Sequence, residues 1–363
     1  MKGFEAAAGW ALFRHDWGLA LSREEPDGAL GAMFDARSCD ACHAGAGPGR
    51  VGTDSIGAGM IVRFGRADGE GDSVYGRTLQ SQARPGVEPE GTALVRWNPT
   101  GDLRTPEIAF SGMRYGPLAP DTHAALRRAP PLFGLGLLES IPDEKILARK
   151  SGRTSWLASA DGSRAIGRFG WKAGSATLPM QIATAFQRDF GIATTVLPAT
   201  FADCTPAEEV CRAAAAKSAV LTDRLFDAVV AFVRYLRPPP ALDERSAGFA
   251  AFRAAGCMQC HDNLMGADGA VVHAFTDLRL HDMGPDLDDG IAEGGARPGE
   301  WRTAPLWDVS DSLARGGLLH DGRARSVAEA VAAHGGEAAG ARARFVALPA
   351  KDRAAIEAFL LRR

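Results

Sequence analysis

Six cysteines, set in three close pairs, constrain this chain more than any other feature. They are Cys39/Cys42, Cys204/Cys211 and Cys257/Cys260. The first and third pairs are each followed at once by histidine, giving Cys39-Asp40-Ala41-Cys42-His43 and Cys257-Met258-Gln259-Cys260-His261. With 6 cysteines and 8 histidines in 363 residues, chance would place about 0.002 such pentapeptides in the chain. C-x-x-C-H is the attachment signature of c-type haem: both thiols add to vinyl groups, and the histidine becomes the proximal iron ligand. A zinc knuckle or a redox dithiol also uses CxxC, but neither explains an immediate histidine twice. The sequence therefore predicts two covalent haems with His43 and His261 on the irons. Covalent haem attachment takes place outside the bacterial cytoplasm, so the expected compartment is the oxidising periplasm. The remaining pair, Cys204 and Cys211, then reads as a structural disulfide.

Length suggests two domains. Hydrophobic residues make up 46% and charged residues 23%, too apolar for disorder. A net charge of −3 advertises neither nucleic acid nor an anionic membrane as a partner. The longest apolar stretches, such as Ala228 to Val233, fall far short of the ~20 residues a bilayer requires. Residues Met1 to Leu12 lack the basic and apolar pattern of an export leader. Because haem c demands export, the expectation is a leader already removed and a Met added.

Periodicity predicts helices over Gly9–Ala20, from Asp143, over Met180–Phe190, Leu221–Leu236, Glu244–Gly256 and Lys351–Leu361. Met60–Phe64 and Ala93–Trp97 read as strands among Gly/Pro/Asp turns. Arg237-Pro238-Pro239-Pro240 cannot continue a helix and makes a natural linker. A haem motif near the start and a packed helix at the end is the layout of a small cytochrome c domain. The expected fold is mainly α, with two cytochrome c-like haem domains, 1–240 and 241–363. The first would be enlarged by long loops and a few short β-strands.

The occupant of the sixth iron position decides between electron carrier and reactive site. Here the C-terminal sequence becomes specific. Gly299-Glu300-Trp301-Arg302-Thr303-Ala304-Pro305-Leu306-Trp307, Leu319-His320-Asp321-Gly322-Arg323 and Ala333-His334-Gly335-Gly336-Glu337 follow Leu280-His281-Asp282-Met283-Gly284-Pro285 in order. With Ala129–Glu139 and Gly167-Arg168-Phe169-Gly170-Trp171-Lys172-Ala173-Gly174, this series resembles the di-haem oxidoreductases described as peroxidases or thiol oxidoreductases. More distantly it resembles the di-haem cytochrome c peroxidases and the maturation enzyme of methylamine dehydrogenase. The resemblance spans nearly the whole chain.

It implies that His334 supplies the sixth ligand of the C-terminal haem, where the peroxidases carry Met. Met283 is the alternative. It also implies that Trp171 lies between the haems, that Gln181 stands in the distal pocket, and that Asp189 is the proton-transferring acid. Arg302 or Arg323 is expected on a haem propionate, since a guanidinium fork suits a carboxylate. Met60, Met113 and His123 are the candidates by domain for the first haem's sixth ligand, and none lies in a ligand-like stretch. An inter-domain calcium, as in the peroxidases, would have no visible ligand set.

The leading expectation is a periplasmic di-haem oxidoreductase with a reactive N-terminal haem and an electron-relay C-terminal haem. Its partners would be a small oxidant such as hydrogen peroxide and a periplasmic electron donor protein. The alternative is a non-enzymatic electron-transfer cytochrome, or a redox accessory to metal uptake.

Overall fold

The computed structural model describes residues 2–19, 29–53, 55–100, 103–159, 161–201, 203–216, 218 and 220–362. They fold as two compact units. The first comprises Met1–Trp97, Pro106–Leu132 and Leu178–Leu236; the second comprises Asn98–Thr105, Phe133–Thr177 and Arg237–Arg363. Each unit is thus discontinuous in sequence, where the sequence reading has the contiguous domains 1–240 and 241–363. The last passage from one unit to the other comes just before the proline run 238–240.

The chain is 31% helical and 19% strand, with many small sheets, so the expectation of a mainly α fold of two cytochrome c-like domains is corrected to a mixed one. The sheet content comes from the segments between helices. Met60–Gly65 pairs antiparallel with His123–Arg128, joining Met60 to Arg128 and Gly65 to His123. Thr92–Thr100 pairs with Leu103–Ser111, each nine residues long. Covered and exposed side chains alternate over Thr92–Trp97 and Glu107–Ser111, as a half-covered strand requires. A few short apolar runs of this kind are easily underestimated from sequence, because each sheet stops at two strands among the described residues.

In the first unit, helix Lys2–Arg14 lies against helix Asp223–Tyr235, where the rings of Phe13 and Phe232 meet at 5.2 Å. The closest approach is at Gly9, where a Cβ would fall 2.0 Å from the Ala228 carbonyl oxygen. That first helix begins and ends earlier than expected, and Ala20 lies outside the described residues. Trp17, fully buried, packs edge-on against Phe186 of helix Leu178–Asp189. A second apolar core gathers Val62, Phe64, Tyr75, Leu79, Val95 and Leu126 around the two longer sheets. The expected Cys204–Cys211 disulfide is present and its sulfurs sit beside buried Ala32, Met33 and Ala215.

In the second unit, helix Ala247–Ala254 packs on the closing helix Ala350–Leu360. Phe249, Phe252, Phe275 and Phe359 form one aromatic core there. Gly248 makes this crossing close, since a Cβ on it would lie 2.1 Å from the Ala355 carbonyl oxygen. No helix among the described residues is long and apolar enough to cross a membrane.

Candidate functional site

Each Cys-x-x-Cys-His begins in a tight helical turn. Ser38 caps the first, its Oγ accepting from Ala41 N at 3.1 Å. The turn Cys257–Gln259 forms the second, entered through Gly256 with φ +81°. The local fold then treats both histidines alike. His43 Nδ1 donates to the Pro130 carbonyl at 2.9 Å, and His261 Nδ1 donates to the Phe275 carbonyl at 2.9 Å. A carbonyl can only accept, so the proton sits on Nδ1 and the lone pair on Nε2. Burial pushes both imidazoles down to about 4, keeping them neutral. A neutral imidazole whose second nitrogen is fixed by a backbone carbonyl is what a metal-ligating histidine needs.

The four motif cysteines are thiols in this structure. Burial, with Asp189 nearby, pushes Cys39 up to about 12 and raises Cys42 further. Burial likewise raises Cys257 to about 11. Such thiols hold little thiolate at neutral pH and are poor redox nucleophiles. Among the described residues, the group of three or more close metal-ligating side chains is Cys260, Asp277 and His281, which is no four-cysteine site. The residues therefore fit thioether attachment of haem better than either alternative.

In the first unit, Asp189 at the end of helix Leu178–Asp189 is within electrostatic reach of Cys39 and Cys42. Burial raises its carboxyl to about 6, partly offset by Arg63 and Arg188. Its backbone carbonyl accepts from Asp35 N and Ala36 N, 2.8 and 3.1 Å away, tying the helix end to the segment leading into the first motif. Gln181 lies two turns earlier on that helix and is half-buried. Met60 and Met113 belong to the apolar core around Phe64, and His123 is exposed.

In the second unit, His334 follows helix Val327–Ala332, which Ser326 caps by accepting from Glu329 N. Its Nδ1 donates to the Ala330 carbonyl at 2.6 Å, and burial lowers its pKa. It is close enough to His261 to influence that imidazole's charge. Met283 packs with Trp171 and Leu319 against buried Leu287, Trp301 and Ala333. The three segments around this cluster are drawn together by Lys172, whose fully buried ammonium donates to Asp289 Oδ1 at 3.0 Å and lies 4.2 Å from the Trp301 ring. Trp301 also stacks on His320 at 3.8 Å and 7° and donates its indole N–H to the Leu287 carbonyl at 2.9 Å.

The two arginines part company. Arg323 is already paired with Asp321, Nε to Oδ2 at 2.8 Å, and donates to the Asp286 carbonyl. Among the described residues, the Arg302 side chain donates to carbonyls, those of Gly170 and Thr303. Burial pushes it down to about 10, with Asp277 giving only partial compensation. A buried guanidinium with no bonded carboxylate among the described residues fits an incoming propionate.

Sequence reasoning gave no role to the Pro130 and Phe275 carbonyls, nor to the charged group Asp277, His281 and Glu337. Backbone acceptors carry no side-chain signal. His281 and Glu337 stand in the quoted motif stretches, and that was their only mark. His281 Nε2 donates to Asp277 Oδ2 at 2.9 Å, and Nδ1 faces Glu337 Oε2 at 3.0 Å and Cys260 Sγ at 3.6 Å. Burial opposes its charge, yet the bonds to Asp277 and the Cys260 sulfur prevail and push it up to about 10.

No curated protein matches the chain. A solved structure of hydrazine synthase from Kuenenia stuttgartiensis, pressurized with 20 bar xenon, is similar over 59% of this chain and 77% of that one. Its identity is 16% and its TM-score 0.27, too slight a likeness to bear on the fold. The family described as "Di-haem oxidoreductase, putative peroxidase" matches residues 108–362, a span that includes the second haem motif and begins after the first. With that match over most of its length, the chain belongs to the di-haem oxidoreductase family.

Proposed function

We propose that this protein is an exported, periplasmic di-haem c oxidoreductase that reduces a peroxide. The observation that carries the reading is the duplicated histidine geometry: two neutral, half-buried imidazoles, each held through Nδ1 by a carbonyl and each preceded by two thiols. Cys39, Cys42 and His43 would hold one haem, and Cys257, Cys260 and His261 the other. When bound, haem supplies iron-centred redox chemistry, tuned by its axial ligands and their hydrogen bonds.

His334 would be the second axial ligand beside His261, leaving the iron on His43 as the reactive one. Met283 is disfavoured because its side chain is taken up in apolar packing. Arg302 would neutralise a propionate. Asp189, with its carboxyl raised to about 6, would take a proton from peroxide at its carboxylate and return it to the departing oxygen. Gln181 would donate a hydrogen bond in the same pocket, and Trp171 would carry electrons between the two centres. Reducing one peroxide to two waters takes two electrons and two protons, the electrons coming from a donor protein in the same compartment.

The test is the resting ferric protein. Denaturing mass spectrometry should give the chain plus two haems and no alkylatable thiol. Magnetic resonance should give one high-spin and one low-spin iron, and peroxide should alter only the high-spin one. Two low-spin irons insensitive to peroxide would make this an electron carrier instead.

A further inference from the structure

We infer that His281 and Glu337 are positioning residues that clamp the loop carrying His334, an inference resting on the reading of His334 as an iron ligand. His334 stands beyond the end of a six-residue helix, too short to hold an imidazole firmly by itself. Its support comes instead from the stretch Asp282-Met283-Gly284, which lies backbone to backbone with Gly335-Gly336. Gly335 N donates to the Met283 carbonyl at 3.2 Å. A Cβ on Gly335 would sit 2.7 Å from that oxygen, and one on Gly336 would sit 2.3 Å from the Asp282 oxygen. Only glycine lets the two stretches come this close.

Glu337 closes the far end of the seat. Its Oε2 accepts from His281 Nδ1 at 3.0 Å, and its Oε1 accepts from Asp282 N at 3.2 Å. The other imidazole nitrogen donates to Asp277 Oδ2 at 2.9 Å, and Asp277 is fully buried. Asp277 stands two residues after Phe275, whose carbonyl orients His261. One imidazole therefore ties the support of His261 to the loop of His334 through two charge-assisted hydrogen bonds. This also explains the Leu280–Pro285 motif, whose histidine is the clamp and whose methionine is part of the seat.

The test uses the holoprotein, comparing wild type with Glu337→Ala, Glu337→Gln and Gly335→Ala by haem content, ferric visible spectrum and magnetic resonance. Both haems should remain attached in all four. Glu337→Ala and Gly335→Ala should convert most of the low-spin iron to high-spin, and added imidazole should restore it. Glu337→Gln should convert less, since its amide oxygen still accepts from Asp282 N. Should Glu337→Ala not fold, the other two variants decide. Wild-type low-spin spectra in the folded variants, with only a lowered melting temperature, would overturn the clamp. His334→Gly separates the two levels. If it alters the spectrum while the clamp variants do not, the clamp is wrong and the ligand reading stands; if it leaves the spectrum unchanged, the ligand reading fails and takes the clamp with it.

Discussion

His43 gives its Nδ1 proton to Pro130 and His261 gives its own to Phe275, both at 2.9 Å and both as half-buried, neutral rings. Behind each motif a glycine brings the preceding helix onto the last helix of its unit, Gly9 against Ala228 and Gly248 against Ala355. Even the next neighbour corresponds: Phe232 and Phe359 stand four residues after those alanines, with Cβ atoms 2.5 and 2.6 Å from the missing side chains. The likeness ends on the other side. The second unit has an imidazole, His334, held near His261, whereas the first has a carboxyl, Asp189, near its cysteines. An imidazole can saturate an iron and a nearby acid can move protons. On the proposed reading, one scaffold would serve two chemistries through the group held near each haem motif.

The largest effect should come from removing that difference. His334→Gly is expected to convert the low-spin iron entirely to high-spin, so that cyanide should perturb one haem in the wild type and two in the variant. Titration of the ferric spectra with cyanide checks this. Binding at a single haem in both proteins would return the two sites to equivalence or move the ligand elsewhere.

Asp189→Asn should lower peroxide turnover by about 10²–10⁴-fold, the usual contribution of a positioned proton-transfer group. The wild-type rate should rise with pH through about 6, because the carboxylate is the form that accepts the first proton and burial places its pKa there. The variant should lose that limb while keeping its high-spin spectrum. Stopped-flow rates from pH 4.5 to 8 read both. A full rate in Asp189→Asn would remove the acid from the comparison.

A third difference concerns stability. The first unit buries Glu90 and Glu208 completely, and their carboxyls hydrogen-bond one another. The oxygens left over after Gln80 N and Thr205 N have been satisfied have no other partner among the described residues, so a shared proton must lie between them. Burial and the mutual charge raise Glu90. A folded-state pKa above the unfolded value means that this stabilisation is complete below the unfolded pKa, near 4.5, and is lost as pH rises toward the folded one. The slope is at most about 1.4 kcal/mol per pH unit for one linked proton. Glu90→Gln should flatten the pH dependence of the first unit's melting between pH 5 and 9. An unchanged slope would show that the pair is not the linked group.

What the sequence made legible followed from side chains with local patterns. The two haem motifs, the disulfide and five helices beyond the first could be placed from spacing, capping and prolines. The paired strands could not be weighed properly, because Thr92–Thr100 and Leu103–Ser111 carry ordinary alternation over short runs. Asp189 could be named but not justified. Its raised pKa comes from burial, which no local pattern encodes. The choice of Arg302 over Arg323 turned on Asp321 and Asp286 being already engaged with Arg323. The duplicated glycine crossings escaped notice because a lone glycine in a helix normally reads as a weakness.

Those crossings give the smallest and most symmetrical expectation. Alanine normally favours a helix over glycine by about 1 kcal/mol, so an exposed site would be stabilised by the change. At Gly9 and Gly248 the new Cβ would meet a backbone carbonyl oxygen at 2.0 and 2.1 Å, and neither helix can yield without parting from its aromatic core. Overpacking of this kind costs about 1–3 kcal/mol, which outweighs the propensity gain. Gly9→Ala and Gly248→Ala should therefore both lower the melting temperature, by similar amounts, with both haems retained. Calorimetry of the two variants beside wild type measures the pair directly. Equal losses would mean that the two units share one helix crossing in energy as well as geometry. A loss at Gly248 alone would confine that crossing to the second unit, and leave the orienting hydrogen bond of the histidine as the likeness between the sites.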